Sequence, residues 1–178
     1  MSFSFFDPHF LQEQPMARIP LPTHTDPAVD EVMRALSLSP PFAKALGTYS
    51  AAIYGAITLS LREREAVRMR IAQLNQCQIC LGFRFPELQT QGVTESFYAE
   101  VADWRSSQEF SAREKLAMEY AELFLTKHLS IDDAFFTRLN TLFNAKEIFE
   151  LTGIIAGLMA NGRLMQVLQL NQPCALSC

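Results

Sequence analysis

Two cysteines three residues apart, Cys77 and Cys80, carry the sharpest chemical signal in the chain. Thiols at that spacing close a small disulfide or give two thiolates to a metal. The helical pattern of residues 61–76 ends just before them. If Asn75 or Gln76 closes that helix, the pair sits at the junction and in the first turn of the next. Unpaired N–H groups and the helix dipole there favour an anion, and draw a thiol from about 8.5 toward about 7 or lower. The plainer reading is two small buried side chains at a helix junction.

A carboxylate joins them. Wound as one helix, residues 61–76 put Val67, Ile71 and Leu74 on one face. Glu65 falls nearly opposite, with Leu61, Met69 and Ala72, and Arg62, Arg64, Arg68 and Arg70 flank the two faces. A carboxylate on an apolar strip must be paired or protonated. Either state suits proton exchange beside a thiol. The competing reading is a structural ion pair, with Arg68 one turn on or with Arg84 from the next helix.

Cys174 and Cys178 bring the cysteines to four. Four thiolates make a zinc site only if the tail folds back onto the first pair. We expect no metal there and take Cys174 and Cys178 as incidental tail thiols. The chain has no phosphate loop, no dinucleotide fingerprint and no Ser-His-Asp set, so no cofactor is expected. Phe83, Phe85 and Trp104 are candidates to line an apolar pocket beside Cys80.

The elements that position these residues are helical. Ser60–Glu63, Ser111–Glu114 and Asn144–Glu147 each place a capping oxygen three residues before a glutamate. Thr94, Ser130 and Pro40-Pro41 mark further starts, and Gly92 a left-handed stop. Leu116, Tyr120, Leu123 and Phe124 share one helical face. Residues 148–170 are apolar on nearly all sides, which predicts a helix buried all round and ended by Pro173. Gly153, Gly157 and Gly162 within it suit close packing of another backbone. Pro86 should bend the cysteine helix. No segment alternates like a strand. The expectation is an all-α fold of seven or eight helices.

Seven of the nine prolines and four of the 14 phenylalanines (Phe3, Phe5, Phe6 and Phe10) fall in the first 41 residues. They predict an extended N-terminal arm over 1–28, packed on the body or on a neighbouring subunit, then one domain over 29–172 and a tail over 173–178. With 49% hydrophobic and 19% charged residues in 178, the chain can build a sizeable core but has little charge to cover it. Sparse surface charge hints at subunit contacts. A net charge of -4 argues against nucleic acid. The longest strongly apolar run, Leu151 to Ala160, is short of the ~18–20 residues of a membrane span, and the first residues lack a secretory pattern. A cytoplasmic protein without membrane contact is expected.

Glu65, eleven residues, Cys77, two residues, Cys80: this pattern resembles the alkylhydroperoxidase D-like family, which includes the carboxymuconolactone decarboxylases. Residues 59–67 leading to Leu74-Asn75-Gln76-Cys77 are similar to the family's helix before its cysteine pair. Residues 110–115 and 145–152 resemble its second half, and the likeness covers roughly residues 16–170. The resemblance implies an all-helical bundle assembled into a trimer, hexamer or other homo-oligomer. It implies reduction of a small organic hydroperoxide: Cys80 attacks the peroxide oxygen, Cys77 resolves the sulfenic acid to a disulfide, and Glu65 anchors a proton relay. A separate thiol or dihydrolipoyl partner would restore the thiols. The sequence departs from the pattern at two places. Arg84 stands where the redox motif has histidine, and Ile79 where the better-equipped hydroperoxidases have another. His9, His24 and His128 are far off in sequence. Arginine stays charged and shuttles no proton, although it can stabilise a thiolate. The rival function is a non-redox member of the family, a lactone decarboxylase-type enzyme with Arg84 holding a substrate carboxylate, or a non-catalytic oligomeric binding protein.

Overall fold

The computed structural model describes residues 17–26, 28–55 and 58–170. The phenylalanines at 3–10, His9, Pro173, Cys174 and Cys178 lie outside them. In chain order the helices are α1 (Glu31–Leu36), α2 (Pro40–Gly55), α3 (Leu61–Asn75), α4 (Gln78–Gly82), α5 (Glu95–Glu100), α6 (Ala112–Lys127), α7 (Asp133–Leu142) and α8 (Ala145–Leu168). Short 3-10 turns cover Pro86–Gln91, Val101–Asp103 and His128–Ser130. There is no strand among the described residues, so the fold is all-α.

The helices start where the capping residues place them. Ser60, Ser111 and Asn144 each form a complete capping box, at the heads of α3, α6 and α8. Two arginines then tie these heads together. Arg113 pairs with Glu63 at 2.5 Å and Glu147 at 2.9 Å, while Arg62 pairs with Glu114 at 2.8 Å. The glutamates thus cap their own helices and hold neighbouring ones. α2 starts at Pro40, Thr94 precedes α5, and Gly92 is left-handed at φ 77°.

Four expectations need correction. α7 is capped by Asp132, whose carboxylate accepts from the Phe135 N–H, and Ser130 instead ends a 3-10 turn. α8 stops at Leu168, where Gln169 turns left-handed and closes the last carbonyls, before Pro173 is reached. Pro86 does not bend the cysteine helix, because α4 has already ended at Gly82 and Pro86 opens the next turn. α8 is buried along one stripe, chiefly Leu151, Ile154 and Ile155, while Phe149 is 80% exposed and Val167 is exposed. By length and composition alone, α8 is the one helix among the described residues that could cross a membrane.

α3 is the axis of the domain. Its Val67 and Ile71 face a core with Leu116, Tyr120, Leu151 and Ile154. Its Ala66, Met69 and Ala72 face a second core with Phe97, Val101 and Met118. Two glycines of α8 permit this packing. A Cβ on Gly157 would run into Ile53 and, at 2.7 Å, the Tyr49 ring of α2; one on Gly162 would meet Asn75 of α3 at 2.8 Å. The small residues therefore serve contacts within the chain. Residues 17–26 carry no helix, and Arg18 donates to the carbonyls of Leu168 (2.9 Å) and Val167 (3.1 Å), at the end of α8.

Candidate active site

α3 ends on Asn75, and Gln76 turns left-handed at φ 54°. That reversal makes Cys77 the N-cap of α4, with its sulfur accepting from the Cys80 N–H at 3.4 Å. The two sulfurs share a hydrogen bond, 2.6 Å apart, and both are free thiols. Closing them to an S–S bond needs a shift of roughly half an ångström. Cys77 is buried and Cys80 half-buried.

The pair holds its proton unevenly. The hydrogen bond from Cys80 draws the Cys77 thiol down to about 6, against the opposing effect of burial, and Arg68 helps by its charge. The same bond pushes the Cys80 thiol up, and burial adds to it. A thiolate at neutral pH therefore rests on Cys77, with Cys80 holding the proton. The resemblance assigned the attack to Cys80. Exposure favours Cys80 for that role, while electrostatics stores the charge on Cys77.

Glu65 is 3% exposed and fully engaged. Arg68 grips it with two hydrogen bonds, Nε at 2.7 Å and Nη2 at 2.6 Å, and the Tyr98 hydroxyl donates to it at 2.7 Å. Of the two ion-pair partners open to it in the sequence, Arg68 takes the place and Arg84 does not. Arg68 also donates to the carbonyls of Cys80 (2.5 Å) and Phe83 (3.1 Å), at the end of α4. Glu65 thus reaches the cysteine helix through Arg68. Arg84 does not touch Glu65: it donates to the Leu81 carbonyl of α4 at 2.7 Å, pairs with Glu95 at 2.9 Å and sits 3.8 Å over the Tyr98 ring. Its place is on the outer side of Tyr98, and it does not line the cavity at the sulfurs.

That cavity has a volume of about 380 Å³. Ile71, Ile79, Phe83, Phe85 and Leu158 make it apolar, and Tyr54, Arg68 and Asn75 give it polar edges. Phe83 and Phe85 line it as expected, whereas Trp104 is packed in the second core, away from it. Tyr54 was not legible in the sequence. Burial, chiefly, raises its phenol pKa, against the opposing charge of Arg68. It therefore remains a hydroxyl. Tyr98 was equally hidden, being 33 residues from Glu65 on another helix. Arg68 alone carried a local signal, its position three residues after Glu65. His24 bonds within its own loop and His128 opens a turn after α6; neither lines the cavity. Among the described residues no cluster of three or more His, Cys, Asp or Glu could hold a metal.

Comparison with known proteins bears on the family and the fold. The model of the carboxymuconolactone decarboxylase family matches residues 40–123, which include the glutamate and both cysteines. The curated protein YnjA of Escherichia coli K12 is 38% identical over 92 residues, 52% of this chain and 50% of that one. The chain thus matches about half the length of that relative. A peroxidase-related protein from Silicibacter sp. TM1040 superposes with a TM-score of 0.74 at 17% identity, over 90% of this chain and 92% of the other. A protein from Agrobacterium tumefaciens, described as a candidate antioxidant-defence protein of the AhpD kind, gives 0.69 at 20% identity, over 78% and 95%. The debrominase Bmp8, solved with 2,3,4-tribromopyrrole, gives 0.68 at 16% identity, over 81% and 77%. At such identities these structures share the fold.

Proposed function

The chain belongs to the carboxymuconolactone decarboxylase, alkylhydroperoxidase D-like family, and from that premise we propose that it is a thiol-dependent reductase of organic hydroperoxides. The observation that carries this reading is the Cys77–Cys80 pair, 2.6 Å apart at the wall of an apolar cavity, sharing one proton.

The pair supplies its own base. Cys80 passes its proton to the Cys77 thiolate and attacks the distal peroxide oxygen. The O–O bond breaks, the alkoxide takes a proton from Cys77 and leaves as the alcohol, and Cys80 becomes a sulfenic acid. The regenerated Cys77 thiolate attacks that sulfur, the S–S bond forms and hydroxide departs. One thiolate, one thiol and one hydroperoxide thus yield a disulfide, an alcohol and hydroxide. A dithiol reductant of the dihydrolipoyl class returns two electrons by exchange. In this scheme Glu65 holds Arg68 in place and takes no proton, and no histidine is required. A decarboxylase of the lactone type has no use for the cysteine pair.

A homo-oligomer belongs to the same proposal. Of the 16 residues of α2 only Ile53 is buried, while its Phe42 and Tyr49, like Phe149 of α8, are exposed. A cytoplasmic setting suits thiols that must be kept reduced. Light scattering should give the mass of several chains.

The deciding experiment mixes reduced protein with equimolar cumene hydroperoxide, alkylates the remaining thiols and weighs the peptide spanning residues 71–84. Closure of Cys77–Cys80 within seconds supports the proposal. Thiols that stay free and alkylate only after unfolding would overturn it.

A further inference from the structure

A second chamber of about 290 Å³ adjoins the cavity at the sulfurs, and Tyr54, Arg68, Phe85 and Leu158 form walls of both. α3 runs beneath the two. Its Arg64 and Glu65 line the far chamber, and its Ile71, Ala72 and Asn75 line the chamber of the sulfurs. At ~1.5 Å per residue, Arg64 and Ala72 are about 12 Å apart along the helix. The two chambers therefore follow one another along α3, and their walls are mostly apolar.

The far chamber is lined by two cations, Arg64 and Arg68, and two carboxylates, Glu65 and Glu87. Glu65 and Arg68 neutralise each other. Glu87 is exposed. Arg64 has no carboxylate within ion-pair distance among the described residues. Its Nη1 donates to the carbonyls of Ile53 (3.2 Å) and Tyr54 (2.6 Å), which caps the end of α2. Its Nε is buried and has no hydrogen-bond partner. Burial lowers the pKa of this guanidinium, a cost that a bound anion would relieve. Most buried polar groups are satisfied, so an exception on a cavity wall asks for an acceptor.

We propose that Arg64 anchors the carboxylate of an amphipathic monocarboxylic acid, so that the preferred substrate is a fatty-acid hydroperoxide. The acid head pairs with Arg64 in the far chamber. The hydrocarbon passes between Tyr54, Phe85 and Leu158, and the peroxide carbon lies some way along the chain, at the sulfurs. Glu87 on the same chamber disfavours a dianion, which selects a carboxylate over a phosphate. The inference rests on the peroxide-reductase reading and names its substrate class. The chemistry is unchanged: the O–O bond breaks, the hydroxy acid leaves, and the dithiol reductant supplies the electrons.

The test compares linoleic acid hydroperoxide with its methyl ester, and with cumene hydroperoxide, in the full chain and in Arg64→Gln. The acid should show a KM roughly tenfold below that of the ester, as for a charge-assisted hydrogen bond. In Arg64→Gln that preference should vanish, the KM of the acid rising to that of the ester measured in the same variant. Equal KM values for acid and ester in the unmodified protein would overturn the inference, and this arm needs no variant. Arg64→Lys, which keeps a cation able to cap α2, should retain part of the preference. Calorimetric binding of octanoate against octanamide separates the two proposals. If cumene hydroperoxide is not reduced, the peroxide reading falls. The carboxylate site then stands if octanoate binds more tightly and Arg64→Gln abolishes the difference, and falls if it does not.

Discussion

Arg68 donates to the carbonyl oxygen of Cys80 at 2.5 Å, and this bond ties the buried carboxylate of α3 to the cysteine helix. On its other edge the same guanidinium makes the bidentate contact with Glu65. Carboxylate, guanidinium and helix end form one rigid chain, which sets the distance and field that the sulfurs experience.

Breaking that chain on one side should be costly. Arg68→Gln leaves Glu65 buried without a cation, and loss of one partner of a buried pair typically costs about 3–5 kcal/mol. Denaturant unfolding should show a loss of that order. The thiol titration should also move up, because the charge of Arg68 lowers both thiols. Glu65→Leu with Arg68→Met should recover part of the stability, since no lone charge remains, without restoring the lowered thiol.

The pH dependence of the pair has a definite sign. Cys77 is drawn from 9.0 down to about 6, so its thiolate forms as pH rises through 6. Thiolate absorbance and alkylation rate should both inflect near that value. The folded pKa of Cys77 lies below its unfolded one, so its stabilisation grows between pH 6 and 9 and is lost as pH falls through 6, while above 9 the raised Cys80 thiol opposes it. Cys80→Ala removes the hydrogen bond that chiefly lowers Cys77, and the inflection should move up toward the ordinary thiol range.

Arg84→His should not create the missing relay. The side chain at 84 is directed to Glu95 and the Tyr98 ring, and it does not line the cavity of the sulfurs. Peroxide turnover in this variant should match that of the unmodified chain. A marked rise would show that position 84 reaches the thiols.

Gly157→Ala tests the seam between α2 and α8. The added methyl would meet Ile53 and the Tyr49 ring, and overpacking of a tight contact costs about 1–3 kcal/mol. Thermal unfolding should shift down accordingly. Ile53 and Tyr54 also line the far chamber, so fatty-acid hydroperoxide turnover should suffer more than that of cumene hydroperoxide.

Much of this protein was legible in its residues because the signals are local. A capping box needs only two side chains three residues apart, and Ser60, Ser111 and Asn144 start their helices as expected. Helical periodicity put Val67 and Ile71 on one face of α3 and Met69 and Ala72 on another, and each face found a core. The place of Cys77 and Cys80 at a helix start implied a thiol lowered by the helix; Cys77 is lowered, but chiefly by the Cys80 thiol, and Cys80 is pushed up. Tertiary structure alone decided what lies around them. The Tyr98 hydroxyl reaches Glu65 from 33 residues away, and Arg84 turns outward although its position matches the family's histidine. The exposure of Phe149, on a helix apolar nearly all round, likewise depends on which neighbours cover it. Hydrogen-bond partners and burial are set by distances between distant segments, and no local pattern encodes those. For the same reason the unpaired Nε of Arg64, one turn before Arg68, emerged only when α2, α3 and α8 closed around it.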